Sequence, residues 1–329
     1  MKKIKIWFTD FYKGFEPRNN YFYNILSKLY SVEINKEDPD YLIYSCYGNE
    51  FLNYDCLRIF YTGENLVPDF NLCDYAIGFH YLNFEDRYMR FPNFALIRDQ
   101  FEQLLSQKDS RNNNLKSKEY FCNFIYANAQ ADPARDLFFE KLSDYKKLSS
   151  PGAHLNNCNM DIGGRFTKDW MYSKLNFQSQ CKFSITFENS SANGYTTEKI
   201  MHAFISNTIP IYWGNPEIEK DFNPKSFINC HNFRNFDEVV QRVKQIDQDD
   251  ELYNSILSEP AFRENKIPDQ FQEVKLINFL RSVFDQENRD LRKRPLYGTT
   301  LKYEKDLRSL VKLKTKMKPF IDLVSKLRV

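Results

Sequence analysis

Short apolar runs alternate with amphipathic segments in two stretches of this 329-residue chain, and a polar stretch separates the two. In the first stretch the apolar runs are IKIWFTD, YLIYSCYG, LRIFYTGEN and DYAIGFH, and the amphipathic segment YFYNILSKLY follows the first of them. Apolar runs of this length between amphipathic segments indicate a parallel sheet covered by helices. The pattern predicts a Rossmann-like α/β domain over residues 1–114.

The same alternation starts again after SQKDSRNNNLKSKE, which contains almost no apolar residues and is predicted to be an interdomain linker. The predicted strands here are FCNFIYAN, KFSITFEN, IPIYWG and SFINCHNF. The predicted helices are DPARDLFFEKLSDYK, TTEKIMHAFISN, FDEVVQRVKQI and FQEVKLINFLRSVFD, the first with Asp132 as N-cap and Pro133 at its first position. A second Rossmann-like domain is therefore predicted over residues 115–288.

Two α/β domains suit the length of the chain, because a single hydrophobic core stops growing at about 250 to 300 residues. Two Rossmann-like domains joined by one linker are expected to face a cleft. Ligands would then bind at the carboxyl ends of the parallel strands. Among sugar transferases this architecture is called GT-B.

The residues after 288 differ in charge from the rest of the chain. Residues 289–329 carry 13 Lys and Arg against four Asp and Glu, so the preceding part is net acidic although the whole chain is +2. This distribution disfavours a nucleic-acid-binding body and points to a basic tail with its own partner. An apolar stripe runs among its lysines at helical spacing and consists of Leu307, Leu310, Leu313, Met317, Phe320 and Val324.

Such a stripe predicts a basic amphipathic helix on the surface of an anionic membrane. Pro319 is expected to break this helix, and the alternative is a helix packed back on the protein. The seven cysteines are odd in number and form no Cys-x-x-Cys pair, which indicates reduced thiols in a cytosolic compartment. No apolar run has the length of a signal peptide or a spanning helix. The expected location is cytoplasmic, peripheral on the inner face of the membrane.

A dense polar cluster begins at the end of the predicted strand KFSITFEN and runs from Glu188 to Lys199. A strand end, a loop with Gly194 and a helix N-terminus offer unpaired backbone N–H groups to a diphosphate. The alternative is that Thr196 or Thr197 only caps the helix.

The motifs FENS, GYTTEKI and TIPIYWGNP, followed by KDFNPKSFINCHNFRNFDEVV, closely resemble bacterial α1,3/4-fucosyltransferases of the Helicobacter type, members of glycosyltransferase family 10. RIFYTGEN and FNLCDYAIGF in the first domain carry a weaker resemblance, so that it covers most of residues 57–245. It implies GDP-fucose as donor, an N-acetyllactosamine-type glycan as acceptor and an inverting reaction. The choice between O3 and O4 of GlcNAc stays open.

The resemblance also implies roles for single residues. Glu64 in YTGEN matches the general base that acts on the acceptor hydroxyl. The donor-binding matches are Arg135 and Lys199 for the diphosphate, Asn189 near the phosphates, Glu198 for the ribose hydroxyls and Tyr195 near the sugar and phosphates. The first domain is expected to bind the acceptor and the second GDP-fucose. His80 lies at a predicted strand end in the acceptor domain, where contact with the acceptor is possible.

No metal and no other cofactor are expected. The Asp-x-Asp segment from Asp38 to Asp40 directly precedes a predicted strand and is interpreted as a turn, and the four histidines are scattered. Two alternatives to the fucosyltransferase remain: a GT-B transferase for another nucleotide sugar, and a non-catalytic nucleotide or glycan binder.

Overall fold

A computed structural model of the chain describes residues 1–106, 118–158, 160, 162, 169–286, 292–295 and 297–326. Most of the predicted linker, residues 107–117, lies outside these ranges. The chain divides into two compact units. The first unit consists of Met1–Gly78, Leu82–Arg90 and Glu273–Val329, and the second unit consists of Phe79–Tyr81 and Phe91–Gln272.

The strands, in chain order, are β1 (Lys3–Thr9), β2 (Ser31–Ile34), β3 (Tyr41–Tyr44), β4 (Leu57–Tyr61), β5 (Tyr75–Gly78), β6 (Tyr88–Arg90), β7 (Tyr120–Asn123), β8 (Cys181–Phe187), β9 (Ile209–Trp213) and β10 (Ile228–Asn229). The α-helices are α1 (Tyr21–Leu29), α2 (Arg98–Ser106), α3 (Ala134–Ser143), α4 (Trp170–Ser179), α5 (Glu198–Ile205), α6 (Phe236–Gln248), α7 (Asp250–Leu257), α8 (Glu273–Phe284) and α9 (Gly298–Lys326).

The first unit contains a parallel sheet with the strand order β2-β1-β3-β4-β5-β6. Strand β1 buries Ile4, Ile6 and Phe8 on one face, because side chains alternate along a strand. Helix α1 begins after Asn20, whose side chain accepts the N–H of Tyr23 at 2.9 Å. The strand order reverses between β1 and β3, which makes their carboxyl ends a topological switch point.

The second unit contains a parallel sheet with the strand order β10-β9-β8-β7. On its other side β7 forms a parallel bridge from Asn123 to Ser149, so the strand order reverses between β7 and β8. Helix α3 begins one residue after the predicted position, and the Asp132 side chain accepts the N–H of Ala134 at 2.9 Å. The two sheets confirm the predicted pair of Rossmann-like domains, which a GT-B transferase contains.

The C-terminal segment differs from the predicted segmentation at residue 288, because it belongs to the first unit. In α8, which had been assigned to the second domain, the Phe284 ring packs 4.5 Å from that of Tyr41 on β3. Further along, Glu304 of α9 accepts a hydrogen bond from the fully buried Arg58 at 2.9 Å. Long-range packing therefore determines this boundary. The predicted boundary at 114 also differs, because α2 lies in the second unit.

Helix α9 continues through Pro319 to Lys326, so the predicted break is wrong. A proline removes one backbone N–H, and the loss of a single bond does not end a helix of 29 residues. Leu307 and Val311 pack against the core of the first unit. By contrast, Leu313 and Met317 are 54% and 42% exposed. No helix within the described ranges is long and apolar enough to span a bilayer.

Candidate active site

The switch point of the second sheet lies at the carboxyl ends of β7 and β8. Ligands of open parallel sheets bind outside the strand ends at such points. The predicted donor-binding residues all follow these two strands, on the loops or on the first turns of α3 and α5; they are Arg135, Asn189, Tyr195, Glu198 and Lys199. The structure thus brings them together within the second unit.

The loop after β8 is held by Asn215, which is fully buried just beyond β9. The Asn215 Oδ1 atom accepts the N–H of Gly194 at 2.8 Å, and its Nδ2 atom donates to the hydroxyl of Thr196 at 3.2 Å. Gly194 has a φ of +87°, which a residue with a side chain rarely adopts. These contacts give the loop a defined conformation in front of α5.

Lys199 is held by Glu188, a fully buried carboxylate at the end of β8. The Glu188 carboxylate accepts a hydrogen bond from the Lys199 ammonium at 2.9 Å. It also accepts hydrogen bonds from the backbone N–H and the hydroxyl of Thr197, both at 2.7 Å. Burial raises the pKa of Glu188, and Lys199 and Thr197 oppose this shift. A Cβ atom at Gly214 would lie 2.5 Å from the Glu188 Cγ, so glycine is needed there. Thr197 precedes α5, but its hydroxyl bonds Glu188 rather than capping the helix.

Arg135 is 1% exposed and lies in the first turn of α3. Its Nη2 atom donates to the carbonyl of Asn128 at 2.7 Å, and its guanidinium carbon lies 4.5 Å from the centre of the Tyr126 ring. The Nη1 atom is buried and has no hydrogen-bond partner among the residues that the structure describes. The Arg135 Nε atom lies 3.4 Å from the carboxylate of Asp136, so the charge has one long, partly exposed ion pair. The buried Nη1–H group still lacks an acceptor, which favours a further anionic ligand.

Glu198 is half-buried at the start of α5 and accepts a hydrogen bond from the Asn93 amide at 3.2 Å. Burial alone would raise the pKa of Glu198, but the neighbouring cations Lys199 and Lys174 outweigh it, and the pKa falls to about 2. The carboxylate is therefore ionised at neutral pH and can accept hydrogen bonds from hydroxyl groups.

Behind Glu198 lies a buried pair, Lys174 and His202, 7% and 0% exposed. The Lys174 Nζ atom is 3.0 Å from the His202 Nδ1 atom. Burial and the charge of Lys174 lower the pKa of His202, so the ring is neutral. Its Nδ1 atom accepts the hydrogen bond that the Lys174 ammonium donates. The His202 Nε2 atom lies 3.3 Å from the side-chain amide nitrogen of Gln100.

Tyr195 and Asn189 shape the loop. Tyr195 is 1% exposed, and its ring packs edge-on against Phe79 at 5.0 Å. Its carbonyl accepts the hydroxyl of Tyr212 at 3.3 Å. The carbonyl of Asn189 accepts the N–H of Asp132 at 2.8 Å, which ties the loop to the segment before α3.

The predicted base Glu64 belongs to the first unit and follows β4 by three residues. Its Oε1 atom accepts the hydroxyl of Tyr47 at 2.7 Å, and its N–H donates to the hydroxyl of Thr62 at 2.9 Å. His80 follows β5, but the segment Phe79–Tyr81 belongs to the second unit rather than to the predicted acceptor domain. The segment belongs to the second unit because the Phe79 ring packs against the Tyr195 ring of that unit.

Within the described ranges, no group of three His, Cys, Asp or Glu side chains could hold a metal ion. Asp38 of the Asp-x-Asp segment accepts the ammonium of Lys5 at 3.1 Å. Metal-free catalysis stays a prediction.

Sequence reasoning placed Glu188 in the polar cluster without assigning it a role, and it missed Lys174. Glu188 stands in the motif FENS, and a carboxylate at the end of an apolar strand could have been examined as a partner for Lys199. Lys174 lies 28 residues from His202, and no sequence signal connects the two.

Two family models match most of the chain. The first is the alpha-(1,3)-fucosyltransferase FucT N-terminal domain, over residues 6–97, and the second is the glycosyltransferase family 10 (fucosyltransferase) C-terminal model, over residues 115–272. The chain belongs to glycosyltransferase family 10. The two models divide this family 10 chain within residues 98–114, near the predicted linker.

The alpha-(1,3)-fucosyltransferase FucT of Helicobacter pylori is 34% identical over an alignment of 281 residues, and the match covers 74% of this chain and 56% of that relative. A crystal structure of an alpha1,3-fucosyltransferase superposes with a TM-score of 0.75 and 28% identity, over 90% of this chain and 93% of that one. Another, solved with GDP-fucose, gives a TM-score of 0.71 and 30% identity, over 88% and 92% of the two chains. The chain spans about half the length of the curated relatives it matches.

Proposed function

We propose that this family 10 chain is an inverting fucosyltransferase. It transfers L-fucose from GDP-fucose to GlcNAc of N-acetyllactosamine-type glycans, such as lipopolysaccharide O-antigen, and forms the α1,3 or α1,3/4 linkage of Lewis-type structures. The observation that carries this proposal is the buried Arg135, whose Nη1 atom has no partner within the described residues. A related structure solved with GDP-fucose supports a diphosphate as the missing partner.

The donor would be bound by the second unit. Arg135 and Lys199 hold the diphosphate, because a guanidinium and an ammonium in fixed positions can each donate hydrogen bonds to its oxygens. Glu198, which is ionised at neutral pH, accepts the ribose hydroxyls. Asn189 lies near the phosphates, and Tyr195 shapes the pocket for the sugar.

The reaction would be a single displacement at the anomeric carbon. Glu64 removes the proton from the acceptor hydroxyl while its oxygen forms a bond to the anomeric carbon. The bond from this carbon to the diphosphate oxygen breaks, and GDP leaves with the bonding electrons. Arg135 and Lys199 stabilise the charge that develops on GDP, so no metal is required. His80 contacts the acceptor.

Guanosine nucleotides should stabilise the folded protein. Saturating GDP, at about a hundred times its dissociation constant, is expected to raise the melting temperature by roughly 5–10 °C. UDP and CMP should have little effect, and the shift should vanish in Arg135→Met but persist in Arg234→Met, which alters an exposed arginine of the same unit. Differential scanning fluorimetry measures these shifts.

A transfer assay separates the alternatives. Fucose transfer to N-acetyllactosamine should persist in EDTA. Stabilisation by UDP alone would indicate another nucleotide-sugar transferase, and GDP binding without transfer to any acceptor would indicate a pure binder.

We also propose that the outer part of α9 holds the enzyme on the cytoplasmic face of an anionic membrane. Leu310, Leu313 and Met317 are 48%, 54% and 42% exposed on a stripe with helical spacing. Every side chain from Lys312 to Lys318 is exposed, and four of these seven residues are lysines. An apolar stripe flanked by lysines fits the interface of anionic lipids.

The full chain is expected to bind vesicles that contain phosphatidylglycerol, and the chain ending at Lys312 should bind them at least about tenfold more weakly, because several lysines contribute about 1 kcal/mol each. Vesicle co-sedimentation measures both. Neutral phosphatidylcholine vesicles are the control, and equal binding of the two chains would refute this role of α9.

A further inference from the structure

The first sheet has a topological switch point of its own, between the carboxyl ends of β1 and β3. In open parallel sheets ligands bind at such a crevice. Asp10 directly follows β1, and the loop with Tyr47 follows β3. Glu64 follows β4, the next strand of the sheet. The crevice therefore lies beside the proposed base.

The two loops at this switch point are joined by Asp10, which has a φ of +59°. Its carboxylate accepts the N–H of Glu50 at 2.9 Å and of Phe51 at 2.8 Å, and its carbonyl accepts the N–H of Tyr47 at 2.9 Å. A Cβ atom at Gly48 would lie 2.2 Å from the Asp10 Oδ1, so the loops meet too closely for any side chain there. A left-handed backbone is uncommon for aspartate and persists only where its surroundings hold it.

The contacts of Asp10 hold the loop that carries Tyr47, and Tyr47 forms a hydrogen bond with Glu64. The Tyr47 side chain is 53% exposed, and its hydroxyl donates to the Glu64 Oε1 at 2.7 Å. The bond fixes one oxygen of the carboxylate and leaves Oε2 to accept a proton. Since a general base must lie within hydrogen-bond reach of the proton it removes, the acceptor hydroxyl has to approach beside the Tyr47 ring.

A second exposed tyrosine stands on the loop after β1. Tyr12 is 50% exposed, and its ring packs edge-on against Phe15 at 5.9 Å. Phe15 stacks on Phe11 at 3.9 Å, and Phe11 lies 6.5 Å from Tyr61 at the end of β4. The Tyr12 ring thus has an aromatic support on one side and solvent on the other. Rigid aromatic faces of this kind suit contact with a ring that has both apolar and polar atoms, such as a sugar.

We infer that the Tyr47 hydroxyl positions the proposed base Glu64, and that the rings of Tyr12 and Tyr47 are the surfaces that contact the acceptor sugar at this crevice. The inference rests on the proposed function, because it assigns the acceptor of that reaction. The occupant is the acceptor sugar rather than the nucleotide, since the group beside the base must carry the hydroxyl that loses its proton.

Steady-state kinetics with GDP-fucose and N-acetyllactosamine tests this assignment. Tyr47→Phe keeps the ring and removes the donor to Glu64, so kcat should fall about tenfold while the KM values for both substrates stay within about twofold. Tyr12→Ala should raise the acceptor KM roughly five- to tenfold and leave the KM for GDP-fucose unchanged. Tyr47→Ala should show both effects.

The matched control is Tyr303→Phe, because Tyr303 is a 45% exposed tyrosine of the same unit whose hydroxyl donates to the Asp69 carboxylate at 3.1 Å. This variant should behave as wild type, and all variants should keep the wild-type melting temperature. An unchanged kcat in Tyr47→Phe, or a rise in the KM for GDP-fucose instead of the acceptor, would overturn this assignment. A wild-type chain that binds GDP but transfers to no acceptor would refute the proposed function itself, and this assignment with it.

Discussion

Replacing Glu64 by glutamine should lower the rate of fucose transfer at least about a hundredfold, because general acid–base catalysis contributes about 10²–10⁴-fold and an amide accepts no proton at neutral pH. Glutamine has the shape of glutamate and still presents an oxygen to the hydroxyl of Tyr47, which bonds Glu64 at 2.7 Å. The substitution therefore removes the basic group while the local geometry persists. Initial rates with saturating GDP-fucose and N-acetyllactosamine measure the effect.

Binding of GDP separates the base role from a loss of fold. The proposed donor contacts lie in the second unit, whereas Glu64 lies in the first, so Glu64→Gln should keep the thermal shift with GDP. Glu37→Gln makes the same chemical change at an exposed position of the first unit and should keep full activity. If Glu64→Gln retained more than about a tenth of the wild-type rate, another group would have to remove the proton.

In the first sheet the central strands could be predicted from the sequence, and the two edge strands could not. Strand β4 is flanked by strands on both sides and buries Leu57, Arg58, Ile59 and Phe60, so it appears as an apolar run. Strand β2 lies at the edge of the same sheet, and its sequence SVEI is mostly half-buried. An edge strand has one neighbour, so its sequence needs no continuous apolar run.

The sequence predicted which residues belong to the candidate donor site, but it did not predict the interactions that hold them. The resemblance pointed to Lys199, but the contact that orients its ammonium comes from Glu188, eleven residues earlier. Likewise, the charge of Lys174 acts on Glu198 and His202 from another helix. Pairs of this kind form only when helix and sheet pack together, and a single sequence carries no record of them.

The tail shows the same limit on a larger scale. The spacing of its apolar residues predicted a helix, and α9 confirms one. The spacing does not reveal that Arg58 and Glu304, 246 residues apart in sequence, form a buried pair. Helical periodicity shows which residues share a face, whereas the partner of that face depends on the tertiary fold. Leu307 and Val311 of α9 pack on the core of the first unit, and the side chains of residues 312–318 are exposed.

Removing the whole tail should therefore destabilise the protein strongly. A chain that ends at Gln286 loses the oppositely charged partners of Asp74 and Arg58, which are both fully buried. Asp74 accepts the backbone N–H groups of Lys293 and Arg294 at 2.8 and 2.9 Å and pairs with the Arg294 side chain. Breaking a buried pair typically costs about 3–5 kcal/mol, because a buried charge stays uncompensated. Since the whole stability of a protein is about 5–15 kcal/mol, the melting temperature should fall by roughly 10 °C or more.

A truncation and a point variant on α9 separate this docking role from the proposed membrane role. The chain ending at Lys312 keeps Glu304, Leu307 and Val311, so its melting temperature should stay within about 2 °C of the full chain. Glu304→Gln should destabilise the protein without any truncation, because it removes the negative charge that pairs with Arg58. Asp306→Asn makes the same change in charge at an exposed position of α9 and should have little effect on stability. If the chain ending at Gln286 melted like the full chain, or if Glu304→Gln and Asp306→Asn were equally stable, the first part of α9 would not belong to the folded core of the first unit. The expected results make residues 292–295 and the first part of α9, up to Val311, part of that core and leave the exposed residues 312–318 for the membrane.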